Sequence, residues 1–163
     1  MSHSVEIPET ANKQEFYREL ALQFSGLVEG ERDAIANAAN LSALLYHALS
    51  DVNWVGFYFL KEGELVLGPF QGKPACVRIA LGRGVCGTAA EARRSIVVPD
   101  VRAFPGHIAC DAASRSEVVA PLVTGGRLIG VLDLDSPSAA RFDDDDRIGL
   151  EHLAAIYLAA SNV

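Results

Sequence analysis

The stretch EVVAPLVTGGRLIGVLDLD, residues 117–135, decides the fold of this chain. Two apolar segments rich in branched residues flank the turn sequence TGGR, residues 124–127. Glycine supplies the positive φ angles that tight turns need, so this pattern predicts a β-hairpin. In the second segment Asp133 and Asp135 alternate with leucines. Because successive side chains of a strand point to opposite faces, both acids share one face.

Whether Glu117 joins these two aspartates depends on the register of the hairpin. A two-residue turn at Gly125 and Gly126 places Glu117 opposite Leu134, on the other face, whereas a three-residue loop or a β-bulge places it opposite Asp135. The sequence leaves both registers open. Three neighbouring acids would raise the pKa of at least one of them, while the aspartates alone also fit an ordinary solvated sheet face.

The other segments of the chain predict an α+β fold. Apolar residues at helical spacing indicate two opening helices, and aromatic and branched residues around the turn sequence KEGE indicate a hairpin. The predicted elements are helices over 16–27 and 31–49, the hairpin over 53–72, a strand at 76–81, a short helix at 84–94, a strand at 95–100, a loop-and-helix insertion at 101–114, the central hairpin, and an amphipathic helix over 142–161.

Length and composition limit the classes of protein that fit. The chain has 163 residues, of which 50% are hydrophobic and 21% are charged, so we expect a single domain over residues 1–163 with a loosely ordered segment at 1–13. The net charge of −7 disfavours nucleic acid and anionic membranes as partners. Since no apolar run approaches the roughly 20 residues of a membrane helix, we predict a cytoplasmic protein.

The three cysteines do not form an even set for a secreted disulfide framework. Free cysteines are usually buried, and Cys76 and Cys86 fit that role. Cys110 differs because it lies in a small, polar segment with His107 nearby, which favours a reactive thiolate. No paired C-x-x-C spacing supports metal binding by the three thiols and His107, so no metal is predicted. A cysteine hydrolase ranks low because nothing indicates an acyl substrate.

Trp54 and Tyr58 are the candidate aromatic residues. They lie four apart in a predicted strand and therefore on one face. Two interpretations stay open at this point: the pair is ordinary core, or it forms the flat apolar wall of a pocket.

The motifs together resemble one known family, the free methionine-(R)-sulfoxide reductases, whose fold is a GAF domain. The resemblance covers nearly the whole chain, from about Tyr17 to the final helix. It implies a six-stranded antiparallel sheet with helices packed against it, and a homodimer. The segments that carry it are NWVGFYFL, GPFQGKPACVRI, GRGVCG, VPDV, HIACDAASRSEVVAPL and GVLDLDSP.

The resemblance also implies the roles of the cysteines. Cys110 matches the nucleophile that attacks the sulfoxide sulfur, releasing methionine and leaving a sulfenic acid. Cys76 matches the usual resolving position, while Cys86 lines the site or serves as an alternative partner. The resulting disulfide would be reduced by thioredoxin as an external reductant, with no bound cofactor.

For the acids and the aromatic pair, the resemblance implies contact with the substrate. Glu117, Asp133 and Asp135 match residues that surround it, and the chemistry requires a proton donor for the sulfoxide oxygen and an anion for the ammonium group. Which acid has which role stays open. Trp54 and Tyr58 match the wall around the S-methyl group.

Two alternatives belong to other functional classes. A GAF domain can bind a small ligand as a sensor without turning it over. The cysteines can also act as a redox switch, which forms a disulfide but shows no substrate preference.

Overall fold

The computed structural model describes residues 5–108 and 110–163, and it confirms the predicted α+β class with a six-stranded antiparallel sheet in the order β3-β2-β1-β6-β5-β4. Residues 1–4 of the segment predicted to be loosely ordered lie outside the described residues. The elements are α1 (Lys13–Leu27), α2 (Ala34–Ala48), β1 (Trp54–Lys61), β2 (Glu64–Gly72), β3 (Arg78–Ala80), α3 (Gly84–Ala92), β4 (Ile96–Val98), a 3₁₀ turn (Val101–Ala103), β5 (Ser116–Thr124), β6 (Arg127–Ser136) and α4 (Asp144–Ala160).

The two faces of the sheet carry different layers. Helices α1, α2 and α4 cover one face and form the larger hydrophobic core with the inward side chains of β1, β5 and β6. Helix α3 packs on the opposite face, where it forms a smaller cluster with Trp54, Tyr58 and Cys86. None of the described helices is long and apolar enough to cross a membrane.

The register of the central hairpin combines the two features that the sequence left as alternatives. The turn has two residues, since Thr124 pairs with Arg127. Next to it the register shifts: Val123 pairs with Leu128 but Leu122 pairs with Gly130, so one residue of β6 is left over in a β-bulge. The bulge reverses which side chains of β6 face each layer.

The extra residue of the bulge is Ile129, which packs against the larger core. Before it, Leu128 faces the α3 layer; after it, Val131 does. The alternation then continues along β6, so that Leu132 and Leu134 enter the larger core. The aspartates between and beyond these leucines consequently point toward α3.

Helices α1 and α4 are joined through one buried carboxylate, that of Asp146. It accepts hydrogen bonds from Lys13 Nζ at 2.5 Å and from the Tyr17 hydroxyl at 2.9 Å. It also closes a capping box at the start of α4, where Asp146 and Asp143 accept from each other's backbone amides. One side chain therefore satisfies a helix end and connects two helices that are distant in sequence.

We predict that Asp146→Ala lowers the free energy of unfolding by about 2–4 kcal/mol, because it removes one half of the capping box and leaves the buried Tyr17 hydroxyl without its acceptor. Urea unfolding followed by circular dichroism measures the change. The matched control is Asp145→Ala, which loses only an exposed hydrogen bond from Gln14 and should change stability by about 0.5 kcal/mol or less. Equal losses in the two variants would contradict the assigned role of Asp146.

Candidate active site

The acids gather on the α3 side of the sheet because of the bulged register. Glu117 of β5 pairs directly with Asp135 of β6, and Val119 pairs with Asp133, so the three carboxyl groups occupy neighbouring positions on two strands. Glu117 and Asp133 are each 6% exposed, while Asp135 is half-buried.

Burial and crowding favour the protonated forms of these acids. Burial raises the pKa of Asp133 to about 7. Burial, followed by the charges of Asp133 and Asp135, raises the pKa of Glu117 well above its ordinary value. The pKa of Asp135 is raised by burial and by the charge of Asp133. At least one carboxyl group therefore holds a proton near neutral pH, which makes the cluster a proton donor.

Cys86 lies against these acids from helix α3. Its Sγ donates to Glu117 Oε1 at 3.9 Å. Burial, followed by the charges of Asp133 and Glu117, raises the pKa of the Cys86 thiol. The next residue, Gly87, allows α3 to come this close, because a Cβ there would collide with the backbone oxygen of Ala80. Cys86 is thus a buried, protonated thiol and a poor nucleophile.

The other two cysteines form a disulfide with Cα atoms 5.7 Å apart. Cys76 lies on the connection between β2 and β3 and is half-buried, whereas Cys110 lies on the long connection before β5 and is exposed. Because 34 positions separate them, the bond joins two distant loops across the site.

The aromatic pair holds the Cys76 loop in place. The Trp54 indole donates to the backbone oxygen of Lys73 at 3.1 Å, and the Tyr58 hydroxyl donates to that of Cys76 at 3.0 Å. The two rings are stacked, with centroids 5.9 Å apart. Gly56 lies between them in β1, and a Cβ there would collide with the Trp54 ring.

Asn53 anchors the Cys110 loop from the start of β1. Its Nδ2 donates to Ser114 Oγ at 3.2 Å and to Asp111 Oδ2 at 3.4 Å. Asp111 also faces Lys73 Nζ across 3.6 Å, which places a charge contact between the two cysteine loops. Sequence reasoning missed these four residues; their only signal was proximity in sequence to the aromatic pair and the cysteines.

His107 reaches the acids rather than the thiol that the sequence suggested as its neighbour. Its Nε2 lies 3.7 Å from Glu117 Oε2. Burial lowers the pKa of His107 and raises that of Glu117, and both shifts disfavour an ion pair between the two side chains.

These groups enclose one cavity of about 40 Å³, which has room for about three water molecules. Its walls combine a disulfide, a cluster of buried acids and an apolar aromatic surface, as a polar small molecule with an apolar end would require. Of the eight site residues predicted from the sequence, Cys76 reaches this cavity through its bond to Cys110. The other seven line it: Trp54, Tyr58, Cys86, Cys110, Glu117, Asp133 and Asp135.

One set of side chains in the cavity has the composition of a metal site. A sulfur or oxygen atom of each of Cys86, Glu117 and Asp133 lies within 4.8 Å of the other two, and all three residues are buried. The cysteine and histidine set considered from the sequence is not the one that the structure brings together among its described residues.

Sequence comparison places the chain among known proteins. Residues 36–160 match the GAF domain family. Free methionine-R-sulfoxide reductase of Escherichia coli is 56% identical over 144 residues, which cover 88% of this chain and 87% of that protein. The enzyme of the same name from Saccharomyces cerevisiae is 44% identical over 153 residues, covering 89% of this chain and 85% of the relative.

Comparison with solved structures gives the same result as the sequence comparison. The crystal structure of free methionine-R-sulfoxide reductase from Neisseria meningitidis in complex with its substrate superposes with a TM-score of 0.93 at 46% identity, covering 98% of this chain and 95% of that one. The chain therefore belongs to the GAF domain family and, within it, to the free methionine-R-sulfoxide reductases.

Proposed function

We propose that this protein reduces free L-methionine-R-sulfoxide to methionine, with Cys110 as the nucleophile and Cys76 as the resolving thiol. The observation that carries the proposal is the Cys76–Cys110 disulfide in the wall of a cavity lined by buried acids. A disulfide in that place is the product expected when a sulfenic acid on Cys110 is captured by the neighbouring thiol.

The reaction balances without a bound cofactor. The Cys110 thiolate attacks the sulfoxide sulfur, the oxygen passes from that sulfur to the Cys110 sulfur as the sulfoxide S–O bond breaks, and methionine departs, leaving a sulfenic acid on Cys110. The Cys76 thiol then attacks the Cys110 sulfur, and the oxygen leaves as water as the disulfide forms. Two thiols are oxidised while one sulfoxide is reduced. In this scheme Cys86 lines the pocket, in keeping with its burial and its raised thiol pKa.

The three acids supply the proton and the anion that this scheme needs. A carboxylic acid kept neutral by burial protonates the sulfoxide oxygen, which makes the sulfur more electrophilic. When the substrate ammonium enters, its positive charge lowers the pKa of a neighbouring carboxyl group and stabilises the ionised form. Glu117, Asp133 and Asp135 thereby share both functions as one coupled cluster.

The aromatic pair provides the apolar part of the site. Trp54 is 4% exposed and Tyr58 is 2% exposed, and their stacked rings form a dry surface beside the acids. We assign the S-methyl group of the substrate to this surface, because thioethers and aromatic rings pack favourably.

Reduction of the Cys76–Cys110 disulfide after each turnover requires an external dithiol, and we propose thioredoxin as this reductant. Cys110 is an exposed residue, so such a reductant can approach the disulfide from its side. We further propose a homodimer, on the basis of the family resemblance, and retain two proposals made from the sequence, a single GAF domain over residues 1–163 and a cytoplasmic location.

The proposal predicts activity on one substrate form. NADPH consumption coupled through thioredoxin and its reductase is measured with free methionine-R-sulfoxide, with the S epimer and with a peptide-bound sulfoxide. We expect turnover of the first alone. A protein with verified reduced thiols that turns over none of the three would instead be a GAF sensor, and disulfide formation without substrate preference would indicate a redox switch.

The roles assigned to Cys110 and Cys76 predict that their serine variants lose different steps of the reaction. Cys110→Ser should release no methionine even in the first turnover, because the attacking sulfur is gone. With thioredoxin as the reductant, Cys76→Ser should release about one methionine per active site and then stop, because the sulfenic acid has no resolving partner. Quench-flow and amino-acid analysis count the methionine. Full activity in Cys110→Ser would identify a different nucleophile.

The raised carboxyl pKa values predict the sign of a pH dependence. A general acid works in its protonated form, so the single-turnover rate of Cys76→Ser should fall as the pH rises through the pKa of the donor, about 7 for Asp133. Glu117→Gln and Asp133→Asn should each make the decrease of the single-turnover rate with pH less steep. Thiol ionisation acts in the opposite direction, so a rate that keeps rising well above pH 7 would contradict proton donation by the acids.

A further inference from the structure

The cluster formed by Cys86, Glu117 and Asp133 has a feature that the sulfoxide chemistry does not use, a thiol among carboxyl groups. The Cys86 sulfur lies 3.9 Å from Glu117 Oε1, and one ligand atom from each of the three residues falls within 4.8 Å of the others. All three belong to regular elements, α3, β5 and β6, so the backbone holds them in a fixed arrangement.

A second observation points to a cation in the same place. Oδ1 of Asp133 is buried and accepts no hydrogen bond from any residue that the structure describes, although Asp133 lines the cavity. A buried polar atom without a partner is costly, and a positive ligand would remove that cost. Of the basic residues that line the cavity, Lys73 and Arg83 are exposed and do not neutralise the cluster from inside, and His107 faces Glu117 across 3.7 Å.

The donor set indicates which cation fits. Thiolate and carboxylate, which form as the Cys86 thiol and the acids release their protons to solvent on binding, together suit a borderline-soft ion such as Zn²⁺, whereas Mg²⁺ and Ca²⁺ take oxygen ligands alone. Zn–S and Zn–O bonds of about 2.3 and 2.1 Å in a tetrahedron set the ligand atoms about 3.5 Å apart. Because the three atoms lie within 4.8 Å of one another, side-chain movements of about 1 Å bring them to this spacing. The cavity of about 40 Å³ also accommodates a water molecule as a fourth ligand.

We propose that Cys86, Glu117 and Asp133 form a binding site for Zn²⁺ and that the bound ion excludes the sulfoxide substrate. Exclusion follows because the ion would occupy two of the acids that face the substrate cavity. Metal binding itself stands independently of the proposed reduction, since it requires neither Cys76 nor Cys110, whereas the exclusion of substrate rests on the proposed function.

The test uses Co²⁺ as a spectroscopic substitute for Zn²⁺ in the double variant Cys76→Ser/Cys110→Ser, which retains Cys86 as its one thiol. We expect one equivalent of Co²⁺ to give a thiolate-to-cobalt charge-transfer band in the near ultraviolet, and Zn²⁺ to displace it. Adding Cys86→Ser should abolish the band. In the double variant, Glu117→Gln or Asp133→Asn should weaken Co²⁺ binding at least about tenfold.

The matched control is Asp111→Asn in the same double variant, since this carboxylate lines the same cavity but lies outside the three-residue cluster. It should leave the band and the affinity unchanged. Near-ultraviolet circular dichroism of each variant verifies that the fold is intact. If Cys86→Ser perturbs the fold, the Co²⁺ titrations of the Glu117→Gln and Asp133→Asn variants test the metal site instead.

The outcomes separate this proposal from the proposed function. No band in the double variant, or a band that persists after Cys86→Ser, overturns the metal site whatever the enzyme does with sulfoxides. In the reduced wild-type protein, Zn²⁺ should raise the apparent KM for the sulfoxide; an unchanged KM at saturating Zn²⁺ overturns the claim of exclusion.

Discussion

One extra residue in β6, Ile129, determines which layer of the molecule receives the acids. Without the bulge at this position, the alternation of β6 would direct Leu132 and Leu134 toward α3 and the aspartates into the larger hydrophobic core. A core of close-packed leucines and aromatic rings rejects unpaired carboxyl groups, so the bulged register is strongly favoured. The same requirement that satisfies the core thereby gathers Glu117 and both aspartates at one cavity.

The acids are then buried together, and in the part of the chain that the structure describes no lysine or arginine is buried with them. Arg83 and Lys73 are exposed at the cavity, and burial lowers the pKa of His107, which faces Glu117. Neutralisation therefore falls to protons, and the raised pKa of Asp133, about 7, is the result. Burying these acids lowers the stability of the folded protein at a pH where carboxyl groups would ionise in water. Buried acids with raised pKa values are concentrated at functional sites.

One side of the sheet carries the larger hydrophobic core, and the other side carries the candidate active site. Helices α1, α2 and α4 bury the larger core, and Asp146 connects two of them without approaching the cavity. On the other side, hydrogen bonds from the Trp54 and Tyr58 side chains of β1 hold the Cys76 loop, and hydrogen bonds from Asn53, the residue before β1, hold the Cys110 loop. Making or breaking the disulfide can thus rearrange loops while the core stays fixed.

The sequence by itself determined the α+β class, the order of helices and strands and the shared face of Asp133 and Asp135, because these follow from local periodicity and turn chemistry. The resemblance of its motifs indicated the family. Only the tertiary structure decided that a two-residue turn and a bulge coexist and that His107 faces Glu117. Cross-strand register and loop contacts depend on how the whole core packs, and that energy is distributed over residues far apart in sequence.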